Sequence, residues 1–155
     1  VQGEAGVKSA PREYFKALRQ RCTETGTLLI LDEIQCGFGR TGSFWAFEQY
    51  DIVPDIVGAA KGMGGGMPIG AFMSSKKIMH VLTDNPVLGH ITTFGGHPVS
   101  AAASLATLEV ILEKKLYSEA ENKAALFKKL LQHPSILEIR NKGLMMAVQF
   151  EVLIY

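Results

Sequence analysis

The chain has 155 residues, a formal net charge of +1, and 47% hydrophobic against 20% charged residues. This composition is too apolar and too evenly charged for intrinsic disorder, and no apolar run reaches the length of about eighteen residues that a membrane-spanning helix needs. The 16 Lys and Arg residues nearly balance the 15 Asp and Glu residues, which disfavours a nucleic-acid or anionic-membrane partner. Cys22 and Cys36 form no CxxC pair. We therefore expect a cytoplasmic protein with neither a disulfide scaffold nor a zinc knuckle.

Both ends of the sequence have the composition of internal segments. The chain starts at Val1 without an initiator methionine or a signal segment, and it ends on the apolar stretch from Val152 to Tyr155 without a polar tail. This pattern predicts that the chain is a piece of a longer protein.

Helical and strand-like segments alternate along the first part of the sequence. Phe15, Leu18 and Cys22 recur at helical spacing, which predicts a helix that begins near Pro11 and stops at Gly26. Short apolar runs predict strands at 27–31, 55–60 and 69–73, and longer segments predict helices at 74–82 and 98–116. The first strand ends in acidic residues and is predicted to be a buried parallel strand, so we expect an α/β fold.

Past about residue 105 the pattern becomes that of an α+β segment. Residues Ser118 to Glu121 match a capping box, which predicts a Lys-rich helix running to about Gln132. Residues 136–150 then predict a strand, a turn at 141–143 and a second strand. We therefore expect residues 1–105 to belong to a large domain and residues 106–155 to begin a smaller one.

Two ionisable residues follow predicted strands, where ligands bind in open α/β sheets. Asp32 ends one apolar run, and Lys61 ends the next, 29 residues later. By themselves these residues are compatible with an exposed strand end or helix cap and with a surface lysine. A lysine crowded among glycine and alanine is also placed to lose solvation, which favours nucleophilic amine chemistry. The pair is more informative than either residue alone.

Other patterns in the sequence point to chemistry less clearly. Residues 37–42 match GxGxxG, but 33–36 separate them from the strand and no helix start follows, which disfavours a dinucleotide site. The glycine run 62–66 lacks a phosphate-loop ending and predicts a turn that exposes Lys61. Residues 92–96 offer hydroxyls before a Pro-started helix, which fits either a phosphate contact or a plain turn. The histidines show no metal-ligand spacing: His80, His90, His97 and His133.

Several motifs together resemble a known family. They are Gln2-Gly3-Glu4-Ala5-Gly6, the run from Leu31 to Gly42, Ala60-Lys61-Gly62, Thr93-Phe94-Gly95-Gly96 and Arg140-Asn141-Lys142-Gly143-Leu144. In order and spacing they resemble the class III pyridoxal-phosphate aminotransferases, closest to acetylornithine and ornithine aminotransferases. The resemblance implies the type I fold of pyridoxal-phosphate-dependent transferases: a large domain, with a mostly parallel sheet and helices on both faces, and the start of a small C-terminal α+β domain.

The resemblance also implies roles for particular residues. Lys61 is similar to the Schiff-base lysine, and Asp32 to the carboxylate that keeps the cofactor's pyridine nitrogen protonated. Gln35 resembles the residue that hydrogen-bonds the cofactor's ring oxygen. Thr93 resembles the threonine that reaches the cofactor phosphate of a neighbouring subunit, which implies a homodimer. Glu4 resembles the glutamate that pairs with a substrate-binding arginine.

The implied activity is transfer of an amino group from an amino acid or ω-amine, acetylornithine-like, to a 2-oxo acid. Two departures stand out: Asn141 occupies a position where glycine is usual, and Cys36 replaces threonine or valine. We expect Asn141 to keep the turn by tolerating a left-handed conformation. The family's phosphate loop, stacking aromatic residue and carboxylate-binding arginine have no counterpart in this chain. A truncated, non-catalytic remnant or interaction module that binds no cofactor is therefore the alternative hypothesis.

Overall fold

A computed structural model describes residues 1–85, 87 and 89–151 of the chain. The segment 152–155 lies outside the described residues. The helices are α1 (Arg12–Thr25), α2 (Lys76–Asp84), α3 (Pro98–Glu113) and α4 (Ala120–Leu130). The strands are β1 (Ile30–Asp32), β2 (Ile56–Ala59), β3 (Ala71–Ser74), β4 (Ile136–Lys142) and β5 (Met145–Phe150). Short 3₁₀ turns lie at Ala46–Tyr50, Lys61–Gly64 and Leu116–Glu119.

The strands form two separate sheets in the described residues. A three-stranded sheet has the order β1-β2-β3, with β1 and β2 parallel and β3 antiparallel to β2. The register pairs Asp32 with Gly58, so the carboxyl ends of β1 and β2 lie at the same edge. Strands β4 and β5 form an antiparallel hairpin. The predicted α/β segment and the predicted strand-turn-strand are both present.

Strand β1 is shorter and more exposed than the sequence predicts. Its pairing begins only at Ile30, opposite Ile56. The carbonyl of the preceding residue, Leu29, accepts hydrogen bonds from the backbone N–H groups of Asp55, which lies just before the ladder, and of Ile56. Ile30 is 60% exposed, and β1 lies at the edge of the sheet. The prediction of a fully buried strand is therefore wrong for this chain, although the parallel pairing is confirmed.

Helix α1 and the residues around β1 form the first hydrophobic core. Cys22, Leu29, Tyr50 and Ile52 are buried together, and partly buried residues pack around them: Phe15, Leu18, Leu31 and Phe47. The helix ends where predicted, because Gly26 adopts a left-handed conformation and its N–H reaches the carbonyl of Thr23. This core packs α1 against β1, whose carboxyl end carries Asp32.

Two local predictions in the C-terminal segment are wrong. Ser118 does not cap α4: it lies in the preceding 3₁₀ turn, the helix has no side-chain cap, and Glu121 accepts a hydrogen bond from the backbone N–H of Gly143 instead. Asn141 does not adopt a left-handed conformation, because it lies in β4 opposite Met146. The left-handed residue of the hairpin is Gly143, with φ +55°.

The predicted division at residues 105 and 106 falls inside α3, which runs without interruption from Pro98 to Glu113. The two-domain organisation stays a prediction. Among the described residues, no helix has the length and apolar character needed to cross a bilayer.

The Asp55 carboxylate joins the start of β2 to α1 and to Leu29. Its Oδ2 accepts a hydrogen bond from the backbone N–H of Leu29 at 2.7 Å and one from the Arg19 guanidinium at 2.6 Å. The Leu29 N–H, followed by Arg19, lowers the pKa of Asp55 below its ordinary value of 3.8. A carboxylate with a lowered pKa stabilises the folded state above the unfolded pKa and loses this contribution as pH falls through the folded pKa.

We therefore expect Asp55→Asn to lower the free energy of unfolding by about 1–2 kcal/mol at pH 7, with a smaller difference from the parent chain below about pH 3. Urea denaturation at a series of pH values measures this. Glu119→Gln is the control, because its ion pair with Lys123 is exposed. Equal losses in the two variants at pH 7 would contradict the role given to Asp55.

Candidate active site

The parallel pairing of β1 and β2 brings two predicted site residues to one edge of the sheet. Asp32 is the last residue of β1, and Lys61 begins the 3₁₀ turn that follows β2. The Oδ1 of Asp32 accepts a hydrogen bond from the backbone N–H of Ile34 at 2.9 Å, which fixes the turn after the strand. Lys61 has a φ of +48°, a conformation that non-glycine residues rarely adopt. The chain therefore turns sharply at both strand ends.

A cavity of about 480 Å³ opens at this edge. Lys61, Asp32, Gln35 and Glu4 all line it, together with residues of the N-terminal loop. A second cavity of about 450 Å³ shares Lys61 and Gln35 and extends towards Phe38, Arg40 and the hairpin. The structure thus brings four of the five predicted site residues to one cavity.

The N-terminal loop, residues 2–8, is closed by its own hydrogen bonds. The backbones of Gln2 and Lys8 pair in both directions, at 2.8 and 3.2 Å. Gly3 lies so close to Gln35 that a Cβ on it would be 2.0 Å from the amide oxygen Oε1 of Gln35. The other end of that amide, Nε2, donates to Oε1 of Glu4 at 2.8 Å. Glu4 is therefore held by Gln35, which lines the same cavity as Lys61.

One expectation about the site differs from the structure. Lys61 is exposed to solvent. The crowding and loss of solvation that the sequence suggested for its amine are therefore not found. Thr93 does not line either cavity that Lys61 lines, and it is exposed in a turn where the Gly95 N–H donates to the Thr92 carbonyl. Its assigned role, contact with a neighbouring subunit's cofactor, stays a prediction.

A buried carboxylate supports the loop that carries Gln35. Glu33 is 2% exposed, and its two oxygens accept hydrogen bonds from the backbone N–H groups of Ala46 and Phe47, at 2.9 and 3.0 Å. The thiol of Cys36 donates to it at 3.2 Å. Burial raises the pKa of the Cys36 thiol to about 12, and the Glu33 charge adds to the rise. Cys36 is thus a protonated structural donor at neutral pH.

The hairpin turn packs on the same loop from the other side. The backbone N–H of Leu144 donates to the carbonyl of Arg40 at 2.9 Å, and the N–H of Gly143 donates to Glu121 at 3.0 Å. A Cβ on Gly143 would lie 2.6 to 2.9 Å from backbone atoms of residues 40–42. Only glycine fits this contact, which closes the wall of the second cavity.

Two supporting contacts, those of Glu33 and of Arg140, could not be predicted from the sequence. The partners of Glu33 lie 13 and 14 residues further along, and the backbone partner of Arg140 is the carbonyl of Gly6, 134 residues away. Neither contact follows a periodicity or a local motif. Among the described residues, no group of His, Cys, Asp and Glu is arranged to hold a metal ion.

Residues 1–152 match the family described as Aminotransferase class-III. The chain therefore belongs to the class III aminotransferases, a pyridoxal-phosphate-dependent family with the type I fold, and the resemblance and fold class predicted from the motifs are confirmed.

Solved structures agree with this assignment. Ornithine aminotransferase from Toxoplasma gondii, in a structure with partial pyridoxal-phosphate occupancy, is 37% identical over 97% of this chain and 36% of its own, with a TM-score of 0.86. An (S)-enantioselective omega-transaminase from Thermomicrobium roseum is 38% identical over 97% of this chain and 35% of its own, with a TM-score of 0.85.

Taurine:2-oxoglutarate aminotransferase from Bifidobacterium kashiwanohense is also similar: 31% identical over 97% of this chain and 35% of its own, with a TM-score of 0.84. Its structure contains pyridoxal phosphate and glutamate. The chain thus spans about a third of the length of the relatives that it matches.

The close contact at Gly143 predicts the effect of one substitution. We expect Gly143→Ala to lower the free energy of unfolding by about 2–4 kcal/mol, because a left-handed alanine is strained and its methyl group meets unyielding backbone atoms. Gly26→Ala is the matched control, since Gly26 has a φ of +66° and open space around it. Urea denaturation of both variants makes the comparison, and a loss at Gly143 no larger than at Gly26 would disprove the steric account.

Proposed function

We propose that this chain is the cofactor-binding part of an enzyme that moves an amino group from an amino acid or ω-amine to a 2-oxo acid. One observation carries the proposal: Lys61, which follows β2, lines a single cavity with Asp32 and Gln35, which lie at the end of β1 and in the turn after it. Membership of the class III aminotransferases supports the same reaction class. The preferred amino donor in the proposal is acetylornithine-like, as the motif resemblance implies.

The chemistry of the cavity side chains fits pyridoxal phosphate. An amine, a carboxylate and an amide suit an aldehyde, a pyridine nitrogen and a ring oxygen, respectively. When bound, this cofactor supplies an electrophilic aldehyde and a conjugated ring that accepts the electrons of a deprotonated substrate carbon. In the proposal Lys61 is the Schiff-base lysine, Asp32 holds the pyridine nitrogen protonated, and Gln35 binds the ring oxygen.

The remaining roles in the proposal concern protons and neighbouring surfaces. The amine of Lys61 would carry the proton from the substrate's α-type carbon to the cofactor carbon, since an amine on an exposed turn has the freedom to move between two atoms of a bound ligand. Glu4, which is hydrogen-bonded to Gln35 and lines the same cavity, pairs with a substrate-binding arginine in the proposal. Thr93 serves the cofactor phosphate of a second subunit, so the proposal includes a homodimer, in the cytoplasm, with a large and a small domain.

A non-catalytic remnant that keeps this core without binding cofactor is the competing proposal. The exposure of both Lys61 and Asp32 in this chain favours it, because a site open to water holds a cofactor less tightly than an enclosed one. Cofactor binding separates the two proposals directly.

Trapping with borohydride tests the Lys61 assignment. We expect pyridoxal phosphate to give an absorption change with this chain, and borohydride reduction followed by peptide mass mapping to place the adduct on Lys61. Lys61→Arg keeps the positive charge and serves as the control that loses the adduct. Labelling spread evenly over the other lysines would reject the assignment and favour the remnant.

Asp32 should contribute to cofactor affinity through a charge-assisted hydrogen bond. We expect Asp32→Asn to weaken the binding of pyridoxal phosphate about tenfold, because the neutral amide interacts less strongly with a protonated ring nitrogen. Asp51→Asn is the matched control, since Asp51 forms ion pairs with Arg12 and Lys16 and lines neither cavity. Equilibrium dialysis gives the dissociation constants, and equal affinities in both variants would refute the role.

A further inference from the structure

The guanidinium of Arg140 connects the C-terminal hairpin to the N-terminal loop. Its Nε donates to the carbonyl oxygen of Gly6 at 2.9 Å. Its Nη1 donates to Oε1 of Gln149 at 2.8 Å and forms an ion pair with Glu138, so one face of the group is fixed on the hairpin itself. The Nε donor is therefore aimed at the loop by a side chain whose Nη1 is held on the hairpin.

The contact with Gly6 is tight as well as polar. Gly6 has a φ of +86°, and a Cβ on it would lie 2.9 Å from Nη2 of Arg140. A glycine in this conformation lets the guanidinium approach the backbone closely. A charge-assisted hydrogen bond to a carbonyl is also stronger than a neutral one. Both features favour a single position of the loop.

The loop transmits this position to the cavity that contains Lys61. The Gln2 and Lys8 backbones pair with each other, and the Gly6 and Val7 N–H groups donate to the carbonyl of Gly3, at 3.0 and 3.2 Å. The loop is therefore closed on itself by backbone hydrogen bonds. Within it, Glu4 accepts the hydrogen bond of the Gln35 side chain and lines the cavity of Lys61.

We propose that Arg140 is a positioning residue: it fixes the loop of residues 2–8 and thereby holds the Glu4 carboxylate on the Gln35 amide. The inference rests on the proposed function, because the position of Glu4 matters to substrate only if Lys61 carries the cofactor. It assigns to the hairpin a role in the substrate side of the site, in addition to packing on the loop at residues 40–42.

The NMR signal of the Gln35 side-chain amide reports directly on whether its hydrogen bond to Glu4 is formed. In NMR spectra of the full chain without cofactor, Glu4→Ala removes the acceptor and defines the shift of the Gln35 amide when it is unpaired. We expect Arg140→Ala to move the same signal in the same direction, and the double variant to add nothing to the shift of Glu4→Ala. We also expect exchange of the Gln2 and Lys8 amide hydrogens to become about tenfold faster in Arg140→Ala.

Two further variants separate positioning from folding. Arg140→Lys keeps the charge but lacks the Nε donor, so we expect a shift between those of the parent chain and Arg140→Ala; it also serves if the alanine variant does not fold. Glu138→Gln removes an ion-pair partner of Arg140 and leaves the Gly6 contact, so we expect the Gln35 signal to stay in place. An unmoved Gln35 signal in folded Arg140→Ala and Arg140→Lys, or additive shifts in the double variant, would overturn the proposal.

The cofactor experiment is independent of this one. Borohydride trapping on Lys61 is measured on the parent chain, and its failure would remove the proposed function while the NMR comparison still tests the loop. A normal adduct on Lys61 together with an unmoved Gln35 signal would remove only the role of Arg140.

Discussion

The parallel pairing of β1 with β2 is the constraint on which the site depends. Its register sets Asp32 opposite Gly58, three residues before Lys61, and so places an acid and an amine at one edge of the sheet. The pairing is short. Just before it, the Leu29 N–H donates to the Asp55 carboxylate, and the Asp55 N–H donates to the Leu29 carbonyl. The Asp55 carboxylate thus sets the start of the ladder, and the strand ends follow from it.

The loops above that edge are held by buried polar contacts as well as by apolar packing. Glu33 satisfies two backbone N–H groups of the Ala46–Tyr50 turn, and the amide of Gln49 donates to both the carbonyl and the hydroxyl of Thr41, at 2.8 and 3.2 Å. A buried carboxylate with several donors fixes geometry, because removing any partner leaves a costly unpaired group. The hydrogen bonds of Glu33 and Gln49 thereby position the loop that carries Gln35 and Phe38, which line a cavity with Lys61.

Much of the apolar surface of the chain is uncovered. Val53, Val81 and Phe94 are 75%, 71% and 80% exposed, and α3 carries exposed apolar residues along its length: Val99, Leu105, Val110 and Leu112. Apolar surface of this extent is typical of an interface. The matched relatives are nearly three times as long as this chain.

The sequence by itself determined the family, the order of the elements and the residues at the strand ends. These depend on local signals: apolar runs that end in Asp32 and Lys61, Gly26 after a helical periodicity, and motifs of fixed spacing. The tertiary structure alone decided that β3 is antiparallel, that Ser118 does not cap α4, and that Arg140 bonds to Gly6. Each of these outcomes depends on a contact with another segment: β3 with β2, Glu121 with Gly143, and Arg140 with Gly6. The energy of such contacts depends on distances that no local pattern encodes.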